Sequence, residues 1–279
     1  MTYDVFGTRS LNYAPCRYGN SRILFRGPEK RLDMPYVAFL GGTETYGKFI
    51  KAPFPDLIEG DIDPNCVNFG ISNAGVDVFL HDATMLEVAN GAVATVLQVV
   101  GAQNLSNRLY SVHPRRNDRF LAPSLLLSSI YPEVDFSEFH FTRHMLTQLH
   151  RASPERFALV RTELQAAWSA RMRLLLSRLD GKVILLWLSE QPPQEGTSPE
   201  AASSFGADPW FVTSAMLSRL ESHVTRRVDV VVSPEAVAAG TEGMVFDEVE
   251  APAAQQMLGP RAHQEAARKL GKVLQDLVH

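Results

Sequence analysis

The chain has 279 residues, 45% of them hydrophobic and 21% charged, with a net charge of −4. Such a length buries enough surface to fold without disulfides or metal, as one large domain or two small ones. The acidic balance, with a sequence pI of about 6.1, argues against a dedicated nucleic-acid binder. Cys16 and Cys66 form no CxxC, so neither a zinc site nor a redox pair is expected. Six of the 27 basic residues are Lys, leaving 21 Arg. Base composition explains such a bias, yet clustered guanidinium groups also grip carboxylates, phosphates and sulfates. The stretch from Met1 to Gly7 lacks the basic and apolar regions of a signal peptide. The longest apolar run, 183–188, is too short to cross a membrane. A cytoplasmic, bacterial-type protein is the expectation.

The elements follow in chain order. Residues 1–34, rich in Arg, Tyr, Gly and Asn, read as a segment wrapping the surface. Five short apolar runs, 36–40, 66–69, 94–100, 183–188 and 228–232, read as buried parallel strands. Helical spacing follows the second run over 76–89. It is clearest over 154–180, where Ser153 caps, Pro154 takes the first helical position and Asp180-Gly181 closes the end. Further helices are expected over 211–223 and 260–277. Residues 102–152 form an insertion with no clear period, and 191–208 reads as a mobile Pro/Ser/Gly/Glu-rich loop. Strand and helix alternating five times predict a three-layer α/β/α domain over 35–279.

Ligands of open parallel sheets sit beyond the carboxyl ends of the strands, so the turns after the first three strands are the places to look. Gly42 to Lys48 has the G-x-x-x-x-G-K spacing of a phosphate loop. Phe49 stands where that loop needs Ser or Thr, and Pro53 and Pro55 interrupt the helix it requires. A nucleotide-donor transferase of sulfotransferase type is the function this loop would imply.

The three turns together have another reading. Phe39-Leu40-Gly41-Gly42-Thr43-Glu44-Thr45-Tyr46-Gly47 resembles the first block, F-x-G-D-S-x-T-x-G, of the SGNH (or GDSL) hydrolase superfamily. Asn68-Phe69-Gly70-Ile71-Ser72-Asn73-Ala74-Gly75 is similar to its second block, N-x-G-x-x-G-A, and Gly101-Ala102-Gln103-Asn104 to its third, G-x-N-D. The 258–267 stretch, with His263 and Ala267, resembles the family's closing helix, G-H-x-x-x-A. This resemblance spans about residues 35–275 and implies a flavodoxin-like sheet of order 2-1-3-4-5 acting on an ester or O-acyl group of a carbohydrate or lipid. The chain also resembles an uncharacterised bacterial domain family of unassigned activity.

Departures from the blocks limit what carries over. Thr43 stands where the family has its nucleophilic Ser, so it is a nucleophile or a substrate-positioning hydroxyl. Gly42 replaces the preceding Asp, Asn73 the oxyanion Gly, and Gln103, or Asn104 one residue on, the third-block Asn. These amides retain donors for an oxyanion. The family's D-x-x-H would fall near Ala254 and Met257, and neither member is present. His263 is then the substitute base, with Asp247 or Glu248 to orient it, or else a packing histidine in the first turn of the last helix.

Arg115, Arg116 and Arg119, beside His113, read either as a lid gripping an anion or as a solvated loop paired with Asp118, Glu133, Asp135 and Glu138. Residues 138–144 continue that interleaving of cations and aromatics. Asp77 and His81, at i and i+4, suggest a metal pair or a simple contact. The stripe Leu164, Trp168, Met172, Leu175 and Leu179 is helix core. Residues 208–213 read as a pocket cap or a helix start. Three functions remain: a degenerate SGNH-type esterase, a non-catalytic binder of an anionic saccharide or phosphorylated metabolite, and the nucleotide-donor transferase. The binding residues are Gly41, Gly42, Asn73, Gln103 and Asn104 at the turns, and the three arginines above hold the anion in the binder. No cofactor, metal, nucleic acid or membrane is expected.

Overall fold

A computed structural model describes residues 11–195 and 208–278. Its strands are β1 (Tyr36–Gly41), β2 (Asn65–Gly70), β3 (Ala94–Gln98), β4 (Tyr110–His113), β5 (Arg116–Pro123), β6 (Val183–Ser189) and β7 (Arg226–Val231). The five apolar runs supply one parallel sheet in the order β2-β1-β3-β6-β7, while β4 and β5 pair antiparallel beside it. The chain leaves β1 for β2 on one side, then crosses back to β3 on the other. The connections therefore diverge at the carboxyl ends of β1 and β3, which opens a crevice there.

β1, β2, β3 and β6 are buried almost throughout because both faces are covered, whereas edge strand β7 alternates. Ala38, Leu40, Leu97 and Leu185 face one core with Phe79 of the Val76–His81 helix and with Leu164 and Trp168 of a 23-residue helix, Pro154–Leu176. Their neighbours Val37, Phe39, Val96 and Ile184 face the other core. There they meet Phe54 and Ile58 of a helix at Phe54–Glu59, and Ala266, Leu270 and Leu274 of the C-terminal helix, Pro260–Val278.

Several expected elements change at their ends. The 76–89 stretch is two helices, because Asp82 turns extended and its side chain accepts the Met85 amide at 3.0 Å, capping Ala83–Gly91. The long helix stops at Leu176 rather than 180. Over 211–223, Phe211 adopts φ +66°, so the helix waits until Ser214 and runs only to Ser218, behind the Thr213 cap. The 102–152 insertion holds regular structure, namely the β4–β5 hairpin and helices at Leu125–Ile130 and Thr142–Ala152. Register shifts at Ser111, Val112 and His113 hide the hairpin's period.

Part of the N-terminal segment enters the core. Tyr18 and Phe25 are buried against Phe69 of β2, with ring centroids 5.2 and 4.7 Å away. Residues 1–10 of that segment and 196–207 of the expected mobile loop lie outside the described residues. Among the described residues no helix is long and apolar enough to cross a membrane.

Candidate functional site

The turn after β1 is built around Gln98, the last residue of β3. Its Oε1 accepts the Gly42 amide at 3.0 Å, the Thr45 amide at 3.3 Å and the Thr45 hydroxyl at 2.5 Å. This clamp requires glycine at position 41, where a Cβ would lie 2.0 Å from Thr45 Oγ1 and 2.5 Å from Gln98 Oε1. The one-turn helix Thr43–Tyr46 that follows, α1 in the fold, sets Thr43 and Glu44 at the crevice.

Thr43 meets the second turn directly. The Asn73 amide donates to Thr43 Oγ1 at 2.9 Å, and Asn73 Oδ1 lies 3.5 Å from the same hydroxyl. Asn73 holds φ +56°, which explains why Asn can stand where the resembled block has Gly, since Asn tolerates the left-handed region best after glycine. Replacement by Gly is expected to preserve stability within about 0.5 kcal/mol, whereas Val is expected to cost about 1–2 kcal/mol from backbone strain alone. Urea unfolding checks this, and equal stability of the Val variant would contradict it.

The third turn locks onto the second. Asn104 Nδ2 donates to the Asn73 carbonyl at 2.9 Å, and Asn104 Oδ1 accepts the Thr142 hydroxyl at 2.6 Å. Two buried carboxylates hold this turn in place. Asp77 accepts the Ser106 amide at 2.9 Å and pairs with Arg171 at 2.8 Å; Glu163 accepts the Arg108 amide at 3.0 Å and pairs with its guanidinium. Trp168 adds a bond from Nε1 to the Val100 carbonyl at 2.8 Å.

Two carboxylates flank this frame. Glu44 is half-buried. Burial, reinforced by the Asp208 carboxylate, pushes its carboxyl up to about 7, against the hydrogen bond of Gln98 and the charge of Arg143. Asp118, from β5, lies 3.5 Å from Asn73 Nδ2. Burial raises its carboxyl above the ordinary Asp range, opposed chiefly by Arg119, with Arg116 also pulling it down.

A family model described as Domain of unknown function (DUF6473) matches residues 1–278. The chain belongs to this family. No curated protein matches its sequence. Among solved structures, this DUF6473 chain is similar to the lipase Lip_vut3 from a goat rumen metagenome, with a TM-score of 0.39 at 14% identity. That match covers 85% of this chain and 95% of the lipase. BT4096, a gut microbial diltiazem-metabolizing enzyme, aligns with a TM-score of 0.35 at 11% identity over 86% of this chain and 46% of its own.

Of the residues singled out in the DUF6473 sequence, Gly41, Gly42, Thr43, Asn73 and Asn104 meet at the crevice. Gln103 does not offer its amide in the same way: it is buried under Gly101, with Oε1 lacking a hydrogen-bond partner among the described residues. His263 goes elsewhere. Its ring is fully buried in the opposite core, stacked on Phe54, with Nδ1 accepting the Phe54 amide at 3.2 Å. Burial, aided by Arg26, holds it down at about 3, so it is neutral and its Nδ1 is occupied. This corrects the substitute-base reading in favour of the packing histidine.

The arginines divide. Arg119 stacks over Phe141 at 4.2 Å and flanks Asp118. Arg115 and Arg116 are exposed at the hairpin turn, their amides donating to His113 Nδ1 at 3.2 Å each. Five of the seven amides of the 42–48 loop already donate within the fold, that of Tyr46 to the Gly42 carbonyl among them, which leaves no open row of amides to cradle a phosphate. Gly42 and Thr45 donate to Gln98, Gly47 and Lys48 donate to the Thr43 carbonyl, and the next helix begins only at Phe54. Asp77 pairs with Arg171, not with His81, and among the described residues no cluster of His, Cys, Asp and Glu could hold a metal.

Glu44 is the functional candidate that sequence reasoning passed over, while Arg143 entered it within the 138–144 part of the anion-gripping lid. Glu44 occupies an unconstrained position of the resembled first block. Arg143 was visible only as one cation in the 138–144 run.

Proposed function

We propose that this chain is an SGNH-hydrolase-like protein with flavodoxin-like layering that cleaves an ester or O-acyl group of a carbohydrate or lipid. In this reading Glu44, in place of a histidine, is the general base. Its carboxylate takes a proton from water as the water attacks the acyl carbon. The Thr43 hydroxyl, held by the Asn73 amide, positions the carbonyl oxygen, and the alcohol leaves with a proton returned by Glu44. The observation supporting it above the others is Glu44 itself: a half-buried carboxyl pushed up to about 7, poised for proton transfer near neutral pH, beside the interlocked Thr43–Asn73–Asn104 frame.

Short-chain aryl esters and O-acetylated sugars test the proposal. Turnover is expected to rise with pH through about 7, following Glu44 ionisation. Glu44→Gln is expected to lose 100-fold or more. Thr43→Ala should lose activity that Thr43→Ser largely retains. Turnover indifferent to both Glu44→Gln and Thr43→Ala would overturn the assignment. Burial of His263 away from Thr43 favours a second reading, ligand binding without turnover on the same frame. Saccharide binding that survives in Glu44→Gln, with no turnover by the parent protein, would select it.

A further inference from the structure

Arg143 is placed with unusual care for a half-exposed arginine. The residue before it, Thr142, is buried and donates to Asn104 Oδ1 at 2.6 Å, so the start of its helix is pinned to the third turn. The Arg143 guanidinium lies over the Trp210 ring at 3.9 Å. Trp210 is itself buried, and its carbonyl accepts the Ala102 amide at 2.9 Å, which ties this aromatic plate to the same turn. Among the described residues one partner takes part of the fork: Arg143 Nη2 bonds to Asp208, whose carbonyl accepts the Ser189 hydroxyl at 2.5 Å. Both members of that pair are about half exposed, at 48% and 54%. An exposed pair contributes little, so an incoming anion can exchange with Asp208. The interaction of Glu44 with both Asp208 and Arg143 places this group at the edge of the proposed site.

We infer that Arg143, stacked on Trp210 beside Glu44, is a subsite for a carboxylate carried by the substrate, making an acidic saccharide ester the substrate class. The inference rests on the proposed reading of the crevice as the reaction site. A guanidinium whose plane is fixed by an aromatic face presents its edge for bidentate pairing with a planar carboxylate. Two acidic neighbours against one arginine disfavour a dianion, which separates a carboxylate from a phosphate monoester. The hairpin arginines are less suited. Arg119 also lies over an aromatic ring, Phe141, but its charge acts on Asp118 rather than on Glu44, and Arg115 and Arg116 stand exposed at the turn.

Calorimetric titration of the intact protein with glucuronate, glucose, glucose 6-phosphate and glucose 6-sulfate tests this without requiring turnover. Glucuronate is expected to bind at least tenfold tighter than glucose and tighter than either other anion. Arg143→Gln should reduce the preference over glucose to within twofold. Arg143→Lys should lose most of it, because an ammonium cannot form the fork. Equal affinity for glucuronate and glucose, including no binding of either, would overturn the subsite. So would tighter binding of the phosphate or sulfate than of glucuronate, or a preference lost in Arg116→Gln but kept in Arg143→Gln. Failure here leaves hydrolysis of neutral acetyl esters, and its dependence on Glu44, intact; the two readings fail separately.

Discussion

Arg26→Ala is expected to lower the unfolding free energy by about 3–5 kcal/mol and the Tm by roughly 10 °C. The guanidinium is almost wholly buried and donates to four carbonyls of one loop: Tyr46 at 3.3 Å, Gly47 at 2.7 Å, and Ile50 and Lys51 at 2.9 Å each. It also lies over the Tyr13 ring at 5.4 Å, and its nearest carboxylate, Asp56, is 3.9 Å away. Burial holds the guanidinium below its ordinary range, with Asp56 opposing, so its attachment depends on the carbonyls rather than on one ion pair. Truncation strands the buried Ile50 oxygen, at about 1–3 kcal/mol, and leaves the Gly47 oxygen to the Ile50 amide at 3.1 Å, while those of Tyr46 and Lys51 can turn to water. Arg26→Lys keeps the charge but cannot span the same acceptors, so an intermediate loss is expected. This loop follows directly on the turn that carries Thr43 and Glu44, and its loosening should blur the site as well. A loss under 1 kcal/mol in urea unfolding of Arg26→Ala would contradict this account.

His263 is expected to govern acid stability. Its ordinary pKa of 6.5 is held down to about 3 in the folded protein, chiefly by burial. Above pH 6.5 both folded and unfolded chains carry it neutral. Below that, the unfolded chain takes up a proton that the folded one refuses, and stability falls until about pH 3, on the order of 5 kcal/mol in all. Glu44 works in the opposite sense. Its carboxyl is raised from 4.5 to about 7, so its contribution is present below 4.5 and is lost as pH rises through 7, on the order of 3 kcal/mol. The two slopes oppose each other between pH 4.5 and 6.5. Glu44→Gln is therefore expected to expose a steep loss on acidification in that window. His263→Asn, which keeps an acceptor without a titrating ring, should instead gain stability on acidification there. Unfolding free energies at half-unit pH steps check both signs, and a His263→Asn profile superimposable on the parent would refute the burial argument.

Much of the fold was legible because buried strands write themselves as short, largely apolar runs. The five strands read over 36–40, 66–69, 94–100, 183–188 and 228–232 correspond within a few residues to the observed sheet strands. Helix ends were harder, since they turn on single backbone choices. Asp82 breaks one apolar stripe in two, and Phe211 at φ +66° delays the next helix without disturbing its spacing. The β4–β5 hairpin escaped notice because its register shifts destroy the alternation on which strand reading depends.

The turns after β1, β2 and β3 could be read as a site because local sequence positions Thr43, Asn73 and Asn104, and strand adjacency then brings them together. By itself the sequence determined the parallel α/β architecture, the turns where chemistry would gather and the missing D-x-x-H. Tertiary structure decided which charged groups face those turns. Glu44 acquires its perturbed carboxyl from burial and then from Asp208, Arg143 its orientation from Trp210, and His263 its neutrality from burial in the opposite core against Phe54. Periodicity records which side of a strand or helix is buried. The protonation and direction of a side chain depend on dielectric and on neighbours contributed by other elements, and local sequence spacing does not encode these.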